Sequence, residues 1–63
     1  MIVSRLIHEA QTKIILRSVI IWNPNISKAL YVGSPSEIPE TIKNKIIKSY
    51  RYDDKKNRMI IRI

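Results

Sequence analysis

Residues 49–63 read SYRYDDKKNRMIIRI. Two stretches of strand-like residues flank a short charged segment, which is the pattern of a β-hairpin. Side chains alternate across a strand, so the parity of the loop decides which residues share a face. An odd loop, Asp53 to Asn57, sets Tyr52 opposite Arg58 and Tyr50 opposite Ile60. One face then carries Lys48, Tyr50, Tyr52, Arg58, Ile60 and Arg62, a basic and aromatic surface suited to stacking bases. An even loop, Asp54 to Asn57, sets Tyr52 opposite Met59 and Tyr50 opposite Ile61. The even loop is expected here. Four-residue loops built on a type I turn are common, and asparagine at position 57 tolerates a left-handed backbone. The tyrosines then join Met59, Ile61 and Ile63 as core, with Lys48 the one charged residue sharing their face. The opposite face carries Ser49, Arg51, Arg58 and Arg62 beside Ile47 and Ile60, so three arginines share a face.

Working back along the chain, GSPSEIPETIKNK holds the only glycine and two of the three prolines. Pro39 suits the first turn of a helix, and Ser34 or Ser36 can cap one. Ile38, Ile42 and Ile46 recur every four residues, predicting a short helix over about 38–45. Acids at its start and lysines at its end complement the helix dipole. Residues 28–33, KALYVG, read as a strand, preceded by an Asn23-Pro24-Asn25 turn. The run KIILRSVIIW, 13–22, contains no Gly or Pro and predicts a strand. Its faces would be Ile14, Leu16, Ser18, Ile20 and Trp22 on one side and Ile15, Arg17, Val19 and Ile21 on the other. Both are largely apolar, as in a central strand or one at a subunit interface. Val3, Leu6, Ile7 and Ala10 mark one face of an N-terminal helix. The expected fold is a single α+β domain over 1–63, αββαββ, with a four-stranded antiparallel sheet and short helices on one face.

Sixty-three residues bury only about 60% of the surface of the unfolded chain. Small domains compensate with disulfides, metals or partner chains. The chain has no cysteine and one histidine, so disulfides, thiolate sites and a histidine-rich zinc site are excluded. A homo-oligomer is expected instead, with a dense core drawn from its fourteen isoleucines. The formal charge of +7 attracts polyanions, of which nucleic acid is the commonest. The alternative is an ordinary lysine-rich surface. Arg5, His8 and Glu9 interrupt the first apolar stretch, unlike a signal-peptide core, and no apolar run approaches a membrane span. Asn25-Ile26-Ser27 fits a glycosylation sequon but reads as turn chemistry. A cytoplasmic protein is expected.

Catalytic constellations are not evident. His8 and Glu9 are neighbours in sequence, and adjacent helical residues do not face each other. Asp53-Asp54 would suit a hard cation, yet beside Lys55, Lys56 and Arg58 the pair reads as a compensated turn. One glycine, Gly33, cannot build a phosphate-binding glycine loop. Ser4, Ser18 and the other hydroxyls have no evident base. Trp22 and Tyr31 are core or rim residues, or else anchors for a protein partner, a role for which both residue types are enriched. No cofactor and no metal are expected.

The run LYVGSPSEIPETIKNKIIKSYRYDDKKNRMIIRI, 30–63, resembles small proteins encoded by phages and prophages of low-GC bacteria. The resemblance lies in the LYxG strand end, the IPE helix start and the final hairpin. It implies an accessory factor that binds DNA, a host enzyme or a defence nuclease, and it carries over no site residue. The positive charge departs from the acidic, DNA-mimicking kind of inhibitor.

The resulting expectation is a non-enzymatic accessory or regulatory protein that binds nucleic acid, DNA ahead of RNA, through a basic sheet face. Arg51, Arg58 and Arg62 would hold phosphates, supported by Lys48, Lys55 and Lys56. The alternative is a module that binds a host protein through Trp22 and Tyr31.

Overall fold

A computed structural model describes residues 1–26 and 28–63. Position 27, and with it the last residue of the sequon, lies outside the described residues. The elements are α1 (Val3–Gln11), β1 (Ser18–Trp22), β2 (Ala29–Gly33), a 3₁₀ turn (Pro35–Glu37), α2 (Glu40–Lys43), β3 (Ser49–Asp53) and β4 (Arg58–Arg62).

The C-terminal hairpin has the even loop. Tyr52 pairs with Met59 and Tyr50 with Ile61, while Arg51 pairs with Ile60. Asn57 closes the turn at φ 50°, and three contacts hold it there. The Tyr52 hydroxyl donates to Asn57 Oδ1 at 2.9 Å. The Arg17 amide donates to the Asn57 carbonyl at 2.8 Å. Across the loop, Arg58 pairs with Asp53 at 3.5 Å.

The sheet order is β2-β1-β4-β3. Each hairpin is antiparallel, but β1 and β4 run parallel through the middle. The all-antiparallel expectation is corrected at that seam. Sequential hairpins fix the pairing within each hairpin and say nothing about how two hairpins join. Here SVIIW and RMIIR take the central positions, with a neighbour on both sides, and their alternate residues Val19, Ile21, Met59 and Ile61 are buried. Parallel pairs favour such apolar runs.

Strand 13–22 is shorter than expected. Only Ser18–Trp22 is strand, and residues 13–17 lead from α1 into the sheet. Leu16 is buried with Val19 and Ile21 although the alternation places it with Ile20. The phase breaks at Arg17, whose amide is engaged by Asn57. Ile15 is left 83% exposed.

The core lies between one sheet face and the helices. Val19, Ile21, Met59, Ile61 and Ile63 face Val3, Leu6, Ile7, Leu16 and Ile38. Burying each such side chain contributes roughly 1.5–3 kcal/mol. The stripe Val3, Leu6, Ile7 and Ala10 is the face that α1 turns inward, as its spacing predicts. Ile47 also packs on the core, not on the arginine face expected for it.

The predicted helix 38–45 shortens to α2, Glu40–Lys43, with the 3₁₀ turn Pro35–Glu37 as a separate piece before it. Ser34 caps the turn, its hydroxyl accepting from the Ser36 amide. Ile38 is buried between the two pieces and Ile42 packs on the core. Ile46 has left the helix and is 71% exposed. Its backbone bridges Ile2, and the flanking amides of Val3 and Ile47 donate to Lys45 and Met1 carbonyls at 3.0 Å. The start of the chain is thereby fastened to the segment that enters β3.

Gly33 ends β2 at φ +156°. The Tyr31 ring lies against it, so a Cβ there would meet the Tyr31 hydroxyl oxygen at 3.0 Å. The same hydroxyl donates to the Ser34 carbonyl at 2.6 Å.

Candidate nucleic-acid interface on the open sheet face

Alternate residues of β1 and β4 point inward, so Ser18, Ile20 and Trp22 and Arg58, Ile60 and Arg62 point to the other face. In the paired register Ile20 lies beside Ile60 and Trp22 beside Arg62. On the outer strands, Val32 flanks Ile20 and Arg51 flanks Ile60. The helices lie against the opposite side and leave this face open. It has an apolar middle of Ile20, Ile60 and Val32, and a basic and aromatic end.

At that end the Arg62 guanidinium sits over the Trp22 ring, 5.0 Å from its centroid. The Ser49–Arg62 pair and the adjoining Tyr50, Arg51 and Ile60 complete a pocket of about 300 Å³. Tyr50 belongs by register to the covered face, and the sequence places it in the core. It is 56% exposed instead, on the outer strand β3. Tyr52, two residues on, is half-buried against the core. The backbone also fixes this end: the Lys48 amide donates to the Arg62 carbonyl (2.8 Å) and the Ile63 amide to the Trp22 carbonyl (2.9 Å).

The six basic residues singled out from the sequence separate into two groups. Arg51 and Arg62 are exposed, and among the described residues neither forms an ion pair. Lys48 is exposed at the same end, one residue before β3 and with the parity of Tyr50. Arg58 lies at the other end of β4, about 13 Å away at roughly 3.3 Å per residue. It is half-buried, committed to Asp53, and its Nε is buried without a hydrogen-bond partner. Lys55 and Lys56 stand on the loop beside it, exposed. The three arginines share a face, as the parity argument requires, but form no single cluster.

Trp22 and Tyr31 also part company. Trp22 lies on the open face. Tyr31 is opposite Ile21, on the covered side, half-buried against the core.

The other sequence candidates carry little chemistry. Glu9 pairs with Arg5 at 3.3 Å, one helical turn away, and His8 is exposed on its own. Asp53 is occupied by Arg58 and by the Lys55 amide. Among the described residues no group of three His, Asp or Glu side chains converges, and no helix is long and apolar enough to cross a membrane.

The exposure of Tyr50 was missed from sequence: its parity was legible, but its place on an outer strand was not. The proximity of Trp22 to Arg62 was missed because it arises from the parallel seam, which joins residues forty apart in sequence.

No protein-family model matches the chain, and comparison with curated proteins and with solved structures finds no match.

Proposed function

We propose that this protein is a non-enzymatic accessory or regulatory factor that binds nucleic acid, DNA ahead of RNA, through the open face of its sheet. The observation that carries the reading is the pair Arg51 and Arg62, exposed on an uncovered face with no carboxylate partner among the described residues. Among the described strand residues the one acid on that face, Asp53, is already engaged by Arg58. A net charge of +7 gives the field that draws a polyanion in, and Lys48 adds a third local cation. Binding is mainly electrostatic, so affinity falls steeply with salt. The resemblance of residues 30–63 to phage and prophage proteins fits an accessory role in the bacterial cytoplasm.

Electrophoretic mobility shift at low and moderate salt tests the proposal. A shift at low salt that fades as salt rises is expected. No shift of any nucleic acid at low salt would overturn it.

A second reading, a module that binds a host protein, is favoured by the edge strand β2. Leu30 and Val32 are exposed there, Val32 by 64%, and an edge strand offers unpaired backbone groups to another chain. The same edge would serve a homo-oligomer. Capture from host lysate with nuclease present separates the readings: a partner retained after digestion favours the protein-binding one. Light scattering tests self-association, and a mass near 7.4 kDa would exclude it.

A further inference from the structure

We infer that the pocket at the Trp22 end of the open face takes one unpaired base, so that the ligand class is single-stranded nucleic acid. The inference rests on the nucleic-acid reading above and narrows it.

The pocket's composition points to a base. It is lined by the Trp22 ring, with the Arg62 guanidinium over it, by Arg51 and Ile60 on the same face, and by Ser49 and Tyr50 of β3; the Tyr50 side chain belongs by register to the other face. Flat apolar rings attract the face of a base, and stacking of this kind is tolerant of base identity. The arginines meet the flanking phosphates, since a planar guanidinium fits a phosphate bidentately. At about 300 Å³ the pocket is at the lower end of the roughly 300–1,000 Å³ found for small-ligand sites.

The shape of the face argues against a duplex. Base faces in a duplex are already stacked and offer nothing to Trp22. A DNA major groove, about 12 Å wide, admits a helix or a two-stranded ribbon. The pocket instead opens on a four-stranded sheet. Its backbones alone span about 14 Å at roughly 4.8 Å per strand. A flexible strand can lie across that surface and turn a base into the pocket. In the free protein Arg62 occupies the Trp22 ring face. An incoming base takes its place on the ring and releases the guanidinium to a phosphate.

Trp22 is the only tryptophan in the chain, so intrinsic fluorescence reports directly on the pocket. The full chain is titrated at low salt with an oligothymidylate, with a duplex of equal length and with inorganic polyphosphate. The expected result is saturable quenching by the oligothymidylate, at least tenfold weaker binding of the duplex, and no quenching by polyphosphate. Trp22→Leu removes the stacking ring and keeps an apolar side chain, and circular dichroism checks its fold. Read by anisotropy of a labelled oligothymidylate, it is expected to weaken single-strand binding by about 5- to 150-fold, the equivalent of one lost stacking contact, and to leave duplex binding unchanged; an unchanged single-strand affinity would overturn the pocket assignment. Equal binding of single strand and duplex without quenching would overturn the pocket assignment and leave the nucleic-acid reading standing. Failure of every polyanion to bind would overturn both.

Discussion

The salt dependence of binding discriminates between two versions of the basic face. If only the group around the pocket grips phosphates, the cations are Lys48, Arg51 and Arg62. Three neutralised phosphates give log K a slope of about −2 against log salt for a single strand. Affinity should then fall about 20-fold between 50 and 200 mM salt. If Lys55, Lys56 and Arg58 also engage, six phosphates give a slope near −4 and a loss of about 300-fold. The structure favours the smaller number, because Arg58 is committed to Asp53 at 3.5 Å and the loop lysines stand beside it. That end lies about 13 Å from Arg62, beyond the roughly 8–10 Å over which surface charges act at physiological salt. Fluorescence anisotropy of a labelled oligothymidylate of about ten nucleotides, within known site sizes, gives the slope. Arg51→Ala should make it shallower by about 0.7, and Lys55→Ala with Lys56→Ala should leave it unchanged. A wild-type slope near −4, or a loss of slope in the lysine variant, would refute the division of the face into an active and a compensated end.

The hairpin turn is testable by urea denaturation: Asn57→Ala forces alanine to φ 50° and orphans the Tyr52 hydroxyl, so a loss of roughly 1–3 kcal/mol is expected, whereas Asn57→Gly should cost less because glycine adopts that backbone freely. Gly33→Ala should destabilise by about 1–3 kcal/mol on backbone strain alone, with the Tyr31 contact adding to it, and an unchanged midpoint would contradict the geometry at the end of β2. Ile61→Ala hollows the centre of the core at a cost of about 2–5 kcal/mol, against a total of roughly 3–9 kcal/mol for a chain this long, and is expected to leave much of the protein unfolded by circular dichroism. Ile15→Ser should change stability by less than about 0.5 kcal/mol, because the side chain is exposed, and a large loss would show that strand β1 extends back as its composition suggests.

What the sequence makes legible is local. The even loop follows from the chemistry of Asn57 and the segregation of Tyr50, Tyr52, Met59 and Ile61, all within fifteen residues. The face of α1 follows from the spacing of Val3, Leu6 and Ile7. The seam between β1 and β4 is different: the residues that meet there are forty positions apart, and no pattern in either run states its direction relative to the other. Residues 13–17 mislead because Ile14, Ile15 and Leu16 have strand composition, while the backbone must turn from α1 into the sheet and breaks the alternation. Tyr50 has the parity of a core residue yet is 56% exposed, on an outer strand with a neighbour on one side only. The binding reading changes accordingly. Arg51 and Arg62 remain on the open face, Arg58 is set apart by its partner, and the ring on that face is Trp22.

The parallel seam also bears on how the chain reaches this structure. Each hairpin closes over short sequence distances, yet an isolated hairpin is marginal in water. Neither half acquires a covered core until β1 and β4 meet, and their meeting closes a loop of some forty residues, whose entropy must be lost before the contacts form. Docking of the two preformed halves is therefore the slow event expected in folding, since nonlocal pairings set the rate in small domains. It also makes the connection between the hairpins a natural place to divide the protein: two fragments, one carrying α1 with β1 and β2 and the other carrying the 3₁₀ turn, α2, β3 and β4, each keep their own hairpin and must rejoin at the seam without a covalent link between them.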